Sequence, residues 1–341
     1  MNKKEALLYE KKQENSVVCH LCAHQCLIRE GRKGICQVRE NQGGKLITLV
    51  YGRTIAQRVD LGERRLLKNI NPGTRAYSMA TVGCNFRCTW CQNADISQMP
   101  RERHFTKGEK ASPEELVAAA QRTGSRSIAY TYTEPTIFFE YAYDTARLAK
   151  EDGLANLFIT NGYMTEDMLE MFSPYLDAAN VDLKAFRDDT YREYVGARLQ
   201  PVLDSMKKMK DLGIWLEVTT LIIPGINDEE EEIRDAARFV AQELGPETPW
   251  HISRFHPAYK MRDRPATPLE TLQTAQRIGI EEGLDHIYLG NVREETHTVC
   301  PSCGEIVIRR NGYLLVENRV TLEDACPACG SAIPGVGMGE D

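Results

Sequence analysis

The chain has 341 residues, of which 42% are hydrophobic and 27% are charged, as in an ordinary folded protein. These proportions exclude disorder, collagen and coiled coil as the main state, and the length favours one large domain with smaller appendages. The formal net charge of -7 argues against a protein that coats nucleic acid through an overall basic surface.

The N-terminal stretch, residues 1–16, is polar and has a helical pattern without an apolar signal core. No apolar run in the chain approaches the ~18 residues that would span a bilayer. We therefore expect no membrane association, no clear nucleic-acid partner and a cytoplasmic location. The sequence contains 11 cysteines, and they fall into three groups whose spacing suggests metal sites.

Strand-like and helix-like segments alternate between residues 76 and 290. The strand candidates begin at Ala76, Ser127, Ala155, Asn180, Ile214, Trp250 and His286. One helix is predicted from Pro113, with Ser112 as its cap and Glu115 completing a capping box. Others are predicted over residues 137–150 and from residue 228 to residue 245. Such alternation predicts parallel strands joined by right-handed crossovers, in a barrel, a part-barrel or an open wound sheet.

A cysteine triplet, Cys84-x3-Cys88-x2-Cys91, follows the first of these strands. It is expected in the loop at the carboxyl end of the strand, where barrels carry out their chemistry. Three thiolates can hold three irons of a cubane cluster, which leaves the fourth iron open and reactive. Trp90, directly before the last cysteine, makes the pattern more specific than a CxxC pair. The alternatives are a zinc site completed by His104 or another residue, or a redox thiol pair.

The triplet resembles the signature of radical S-adenosylmethionine (radical SAM) enzymes. This resemblance implies a [4Fe-4S] cluster that binds S-adenosylmethionine through its open iron. It also implies reductive cleavage of S-adenosylmethionine to methionine and a 5'-deoxyadenosyl radical, which abstracts hydrogen from a substrate. The fold implied is a partial (β/α)6-type TIM barrel, an α/β core with small Cys-rich appendages at both ends.

The ends of the following strands extend the resemblance. Tyr132-Thr133-Glu134-Pro135 is similar to the Gly-Gly-Glu-Pro motif of the family, which implies that Thr133 and Glu134 contact the methionine group. Both family glycines are replaced here, by Tyr132 and Thr133. The segment containing Asn161, after the third strand, resembles the subgroup of pyruvate formate-lyase activating enzymes, in which such residues line the cofactor pocket.

Asp182 and Lys184 follow the fourth strand and also resemble that subgroup. Since residues two positions apart lie on one face of a strand, the acid and the base are expected to converge inside the barrel mouth. The alternative is a structural ion pair. Glu217, Arg254 and His256 are further cofactor-binding candidates, because they place polar groups in segments that should otherwise be apolar.

The C-terminal CPSCG and CPACG segments predict two metal-binding knuckles, in which Gly304 and Gly330 allow the required turn. Four sulfurs in two knuckles favour a closed tetrahedral zinc site, with rubredoxin-like iron as the alternative and disulfides disfavoured in the cytoplasm. The predicted ligands are Cys300, Cys303, Cys326 and Cys329.

A second four-cysteine group lies near the N-terminus, with His20 and His24 interleaved. Its spacing is also typical of a metal site. We favour structural zinc, and an auxiliary iron-sulfur cluster is the alternative, because the first three cysteines could surround one corner of a cubane. The predicted ligands are Cys19, Cys22, Cys26 and Cys36.

Taken together, these motifs resemble the AmmeMemoRadiSam system radical SAM enzyme over nearly the whole chain. That family implies Memo-type and AMMECR-type proteins as partners, and the chemistry implies an electron donor such as flavodoxin or ferredoxin. The predicted regions are an N-terminal four-cysteine metal-binding region (1–70), a radical SAM partial barrel (71–297) and a zinc-ribbon-like four-cysteine region (298–341).

The first functional hypothesis is hydrogen abstraction from a protein or peptide. The same chemistry on a small molecule or nucleotide is the alternative within this class. A zinc-dependent protein or nucleic-acid interaction module is the alternative from another class, and pure electron transfer is a third.

Overall fold

The computed structural model describes residues 4–293 and 295–339. Its N-terminal region is built from short antiparallel strands in the sheets β1-β6-β5 and β2-β3-β4, while β7 pairs with a later strand. These strands are β1 (Lys4–Glu5), β2 (Tyr9–Lys11), β3 (Val17–Cys19), β4 (Leu27–Ile28), β5 (Arg39–Gln42), β6 (Lys45–Thr48) and β7 (Arg53–Thr54). The helical pattern expected near the N-terminus is therefore wrong for β1 and β2, because pairing with β6 and β3 overrides local propensity.

The centre of the molecule is an eight-stranded sheet in the order β16-β15-β14-β13-β12-β11-β9-β8. Seven strands run parallel, and β8 pairs antiparallel with β9 at one edge. The strands of this region are β8 (Ala56–Leu61), β9 (Arg75–Ala80), β10 (Glu109–Lys110), β11 (Ser127–Tyr130), β12 (Ala155–Thr160), β13 (Ala178–Asp182), β14 (Trp215–Ile222), β15 (Trp250–Arg254) and β16 (Ile287–Gly290). The short β10 pairs with β7 outside this sheet.

Helices connect the parallel strands. They are α1 (Ala94–Ser97), α2 (Met99–Glu102), α3 (Pro113–Arg122), α4 (Phe139–Glu151), α5 (Glu166–Phe172), α6 (Asp188–Thr190), α7 (Gln200–Asp211), α8 (Glu230–Phe239) and α9 (Leu269–Glu281). The capping box predicted for α3 is confirmed, since Ser112 and Glu115 exchange hydrogen bonds. The amphipathic helices bury their apolar faces against the sheet, as α3 does with Leu116 and Val117.

The alternation of strand and helix places the carboxyl ends of all seven parallel strands at the same edge of the sheet, as the part-barrel prediction requires. The seven strand candidates are confirmed, and the α/β part-barrel class with them. β8 lies inside the predicted N-terminal region, residues 1–70, yet it belongs to the central sheet.

The C-terminal region forms a separate antiparallel sheet of β17 (Thr298–Val299), β18 (Ile306–Asn311) and β19 (Leu314–Asn318). It has its own small apolar core, which includes Val307, Ile308 and Ile333. Among the residues described, no helix combines the length and the apolar character needed to cross a membrane.

Candidate active site

The three central cysteines line one cleft of about 330 Å³ at the carboxyl ends of the strands. They lie in the loop between β9 and α1, as the sequence predicts. The backbone N–H of Phe86 points at Cys84 Sγ from 3.3 Å, and Cys91 Sγ lies 3.3 Å from the Ser97 hydroxyl. The loop therefore folds back on itself and brings the three sulfurs into one space.

Burial shifts the pKa of two cysteines of this triplet. It raises the pKa of Cys84 well above its usual value and that of Cys88 to about 12, while the nearby charge of Lys184 opposes part of the rise at Cys88. Without a metal, both groups are therefore thiols at neutral pH. Because metals bind the thiolate form, loading of this site must release protons.

The spacing of the three sulfurs does not suit a single ion. Within residues 4–293 and 295–339, only the C-terminal cysteines bring three or more ligand atoms within 4.8 Å of one another. His104, the candidate fourth ligand of a zinc site, is exposed and lies outside the cleft lining. The donors of the triplet are soft sulfurs, each of which could bind a different iron of a cluster.

The loop after β11 shapes the wall opposite the cysteines. Tyr132 has φ of 61°, in the left-handed region that glycine adopts readily, and it stands at a position where the family motif has glycine. Its backbone carbonyl accepts a hydrogen bond from Asn93 at 2.9 Å, and its ring lies 4.3 Å below the Arg65 guanidinium. The unusual backbone is therefore retained without glycine, held by contacts on both sides.

Glu134 is buried in the same wall and accepts four hydrogen bonds. They come from the backbone and hydroxyl of Thr136 at 3.0 and 2.6 Å, the Thr160 hydroxyl at 2.7 Å and the Asn161 backbone at 2.8 Å. Burial raises the pKa of Glu134, and these donors oppose part of the rise. The carboxylate thus ties the ends of β11 and β12 together beside the cysteines.

Asp182 and Lys184 converge in the cleft, as predicted, with Lys184 Nζ 2.8 Å from the Asp182 carboxylate. Burial alone would lower the pKa of Lys184, but the charge of Asp182, the nearby Cys88 and the hydrogen bond to Asp182 together outweigh burial and raise the pKa. Lys184 is therefore cationic, close enough to Cys88 to lower the pKa of that thiol. The pair places one fixed positive charge beside the triplet.

Comparison with known proteins agrees with this geometry. Residues 79–239 match the radical SAM superfamily. The chain is also 43% identical to the uncharacterized protein MJ0808 of Methanocaldococcus jannaschii over 335 residues, which cover 97% of this chain and 98% of that protein. The chain belongs to the radical SAM superfamily.

Two further similarities place this radical SAM enzyme among its relatives. It is 24% identical to the pyruvate formate-lyase-activating enzyme of Clostridium pasteurianum over 221 residues, 60% of this chain and 88% of that one. The crystal structure of Streptococcus suis SuiB bound to precursor peptide SuiA has a TM-score of 0.50 at 13% identity, covering 67% of this chain and 51% of that chain. The second similarity concerns the fold alone.

Membership of the radical SAM superfamily implies a [4Fe-4S] cluster and S-adenosylmethionine, and the residues present fit both. The cluster would be held by the triplet, since each sulfur can bind its own iron. Of the predicted contacts, the following line the same cleft: Cys84, Cys88, Trp90, Cys91, Thr133, Glu134, Asn161, Asp182 and Lys184.

Three predicted cofactor contacts, Glu217, Arg254 and His256, are not among the residues that line the cleft. Glu217 is on the expected face of β14 but too near its start, so that Thr219 and Leu221, further along that face, line the cleft instead. The Glu217 carboxylate bonds the backbone N–H groups of Lys68 and Asn69.

Arg254 and His256 are likewise absent from the cleft lining. Ser253 lines it, and Arg254, one residue later on β15, faces the other way and donates to the Thr267 carbonyl at 2.7 Å. His256 is exposed beyond the end of that strand.

Several lining residues gave no signal in the sequence. Arg65 bonds Asp60 and the Tyr132 hydroxyl beneath the mouth of the cleft. Tyr313 reaches the cleft from the turn between β18 and β19 of the C-terminal sheet, and Arg64 lies 5.8 Å above its ring. These residues are far apart in sequence, so only the tertiary packing brings them to the site.

The C-terminal cysteines form a compact site outside the cleft. Cys300 and Cys329 have sulfurs 3.7 Å apart, as do Cys303 and Cys326. Gly304 and Gly330 have φ of 77° and 76°, so the predicted knuckle turns are confirmed. The site can hold a single metal ion through four sulfurs.

Proposed function

We propose that this enzyme cleaves S-adenosylmethionine reductively at the Cys84–Cys88–Cys91 cluster and abstracts hydrogen from a protein or peptide substrate. The observation that carries the proposal is the composition of the cleft. Its described lining offers three cysteines but neither a fourth cysteine nor a histidine to complete the coordination of a cluster. When bound, the cluster and S-adenosylmethionine together supply methionine and a 5'-deoxyadenosyl radical.

The residues of the chain would position the cofactors and control the charge around them. Cys84, Cys88 and Cys91 would hold the cluster as thiolates. Lys184, kept cationic by Asp182, would balance part of the negative charge of the site or orient the carboxylate of S-adenosylmethionine. The partly buried Asp182 carboxylate would hold the amine in position through its charge-assisted hydrogen bond at 2.8 Å.

The second wall would receive the methionine group of S-adenosylmethionine. Thr133 donates to the Thr81 carbonyl at 2.9 Å, and Glu134 is fixed by its four donors. Asn161 donates to the Asn85 side chain at 2.8 Å, which joins this wall to the cysteine loop. A wall that is already hydrogen-bonded needs little rearrangement when a ligand binds, which favours precise placement.

A protein or peptide substrate is favoured by the relationship to the activating enzyme of Clostridium pasteurianum. The mouth of the cleft also carries groups suited to a polar chain, since Arg64, Arg65 and Tyr313 line it. We further propose that the enzyme acts within the AmmeMemoRadiSam system, with Memo-type and AMMECR-type proteins as partners and flavodoxin or ferredoxin as electron donor. A cytoplasmic location accords with its many free thiols.

The test is anaerobic reconstitution with iron and sulfide, followed by reduction with dithionite in the presence of S-adenosylmethionine. We expect release of 5'-deoxyadenosine by the wild type and its loss in Cys88→Ala. Lys184→Met should reduce the rate, while Lys150→Met, which removes the half-exposed partner of Asp177, should not. Colourless protein that binds zinc alone after reconstitution would contradict the proposal.

The substrate is tested by isotope transfer. Each candidate partner is incubated in deuterated form, and deuterium is sought in 5'-deoxyadenosine. Transfer from a Memo-type or AMMECR-type protein would support the protein substrate, whereas transfer only from a small molecule or nucleotide would contradict it.

At the C-terminus we propose zinc as the metal. The four sulfurs are at the spacing of a tetrahedral ion, and a closed site of this type stabilises a small module. Metal analysis of Cys303→Ser with Cys329→Ser, two of the four ligands, should show the loss of one zinc and of no iron relative to the wild type, and the loss of iron instead would contradict the assignment.

A further inference from the structure

The N-terminal cysteines line a second cleft, of only about 10 Å³, that the radical SAM site does not use. Its lining includes Cys19, Cys22, Cys26 and Cys36, together with Arg39. Unlike the C-terminal set, no three of these sulfurs come within 4.8 Å of one another, although all lie in the described part of the chain. Since Zn–S bonds of about 2.3 Å place sulfurs about 3.8 Å apart, the arrangement is too open for a single zinc ion.

Hydrogen-bond donors nevertheless surround these sulfurs, as expected for a site that binds a metal centre through thiolates. Backbone N–H groups point at three of them, from His24 to Cys22, from Ile35 to Cys26 at 3.5 Å and from Val38 to Cys36. Amide donors to sulfur stabilise thiolates and tune iron-sulfur clusters.

The buried side chain of Arg39 gives a second, independent reason to expect a cluster rather than a zinc ion. This side chain is 2% exposed, and its terminal nitrogens bond Glu140 at 2.9 and 3.0 Å and the Leu7 carbonyl at 2.8 Å. The remaining nitrogen, Nε, is buried and has no hydrogen-bond partner among the described residues. A cluster would add inorganic sulfides as acceptors beside this donor, whereas a lone zinc adds no acceptor to the cysteine sulfurs.

The second cleft is packed directly against the loop of the central cysteines. His24 Nε2 lies 2.9 Å from the carbonyl of Asn85, the residue after Cys84. At Gly83, the residue before Cys84, a side chain would come within 2.7 Å of Val38 and 3.3 Å of the Cys36 carbonyl. The two cysteine sites therefore share a wall.

We propose that Cys19, Cys22, Cys26 and Cys36 hold a second iron-sulfur cluster beside the central one, with Arg39 as its buried cationic neighbour. This assigns iron and sulfide, not zinc, to the N-terminal site. Four cysteines can ligate a cluster of two or four irons. The assignment does not depend on the chemistry proposed for the central site.

The experiment compares three matched variants of the full chain after anaerobic reconstitution with ⁵⁷Fe and sulfide. The N-terminal variant is Cys22→Ser with Cys26→Ser, the central variant is Cys84→Ala with Cys88→Ala and Cys91→Ala, and the C-terminal variant is Cys303→Ser with Cys329→Ser. Iron, sulfide and zinc are counted per chain, and Mössbauer spectra identify the clusters.

We expect the central variant to retain about two to four irons with matching sulfide, and the N-terminal variant to lose that amount. The C-terminal variant should keep the iron of the wild type. Zinc without iron at the N-terminal site of the central variant would overturn the proposal. So would an N-terminal variant with the full iron and sulfide of the wild type.

The two proposals fail in different ways. A central variant with undiminished iron would refute the central cluster and leave the N-terminal assignment standing. If the N-terminal variant does not fold, as judged by circular dichroism, the Mössbauer spectrum of the central variant decides alone, because it reports on the intact N-terminal cysteines.

Discussion

The two cysteine-rich ends of the chain support their sulfurs in different ways. At the C-terminus the sulfurs approach to 3.7 Å, two of the four cysteines are exposed, and the surrounding apolar core is small and local. At the N-terminus the sulfurs are more open, and Cys19 and Cys36 belong to the main core of the molecule. A module that closes around one ion can be stabilised by that ion, whereas a site built on an existing core can keep its sulfurs further apart.

Each end is also anchored to the centre by a buried arginine. Arg39 forms a two-bond pair with Glu140 of α4. Arg310 of β18 lies 3.6 Å from Glu63 and bonds the Lys68 carbonyl at 2.7 Å. Both cysteine-rich ends are therefore tied to the rest of the molecule by a buried guanidinium.

Removal of the C-terminal metal should have the largest effect. In Cys303→Ser with Cys329→Ser, we expect residues 298–339 to lose their structure, because metal binding contributes about 10–16 kcal/mol in small zinc modules. The N-terminal variant Cys22→Ser with Cys26→Ser should keep its fold, since the main core supports that region. Hydrogen exchange measures the loss of structure in each variant. If the amides of β17–β19 stay protected in the C-terminal variant, the proposed difference between the two ends is contradicted.

Replacement of the two buried arginines should have the next largest effect on stability. Arg39→Met is expected to lower the free energy of unfolding by about 3–5 kcal/mol, because it leaves Glu140 as a buried, unpaired charge. Arg310→Met should cost less, since its nearest contact with Glu63 is 3.6 Å. Urea unfolding measures both. Lys207→Met, which removes an exposed pair, is the control and should change stability by less than about 1 kcal/mol. Equal costs at all three positions would contradict the prediction.

The anchor at the C-terminal end also predicts a pH dependence. Burial, assisted by the charge of Arg310, lowers the pKa of Lys68 to about 7. Between this value and the ordinary lysine pKa of about 10.4, the unfolded chain binds more protons than the folded one, so stability should rise with pH.

The contribution of Lys68 to the rise of the unfolding free energy with pH is at most about 1.4 kcal/mol per pH unit. It should be missing from Lys68→Met. Urea unfolding of both proteins from pH 7 upward gives the difference in slope. Parallel curves for the two proteins would show that Lys68 keeps its ordinary pKa in the folded state.

The smallest effect is expected at the mouth of the cleft. Tyr313→Ala should leave stability within about 0.5 kcal/mol of the wild type, since the ring is only half-buried. It should raise KM for the substrate by less than about tenfold, the equivalent of about 1.4 kcal/mol. Leu314→Ala, a neighbour with 60% exposure outside the cleft lining, is the control. An unchanged KM would show that Tyr313, the residue that reaches the cleft from the C-terminal sheet, does not contribute to substrate binding.

Features that depend on spacing within a short segment could be predicted from the sequence. The cysteine triplet, the alternation of strand and helix and the knuckle glycines each lie within a short segment, and each was found where the pattern predicted it. Asp182 and Lys184 converge for the same reason, because a two-residue step along extended backbone fixes a shared face.

Features that depend on position along a strand, or on contacts between distant segments, could not be predicted in this way, because they are set by tertiary packing. Glu217 has the right face but lies too early on β14, a difference that periodicity cannot detect. Tyr313 enters the cleft from the other end of the chain, and Arg39 meets Glu140 across 101 residues. Side-chain alternation is set by local backbone geometry, whereas depth in a cleft and distance between sulfurs are set by how separate elements pack.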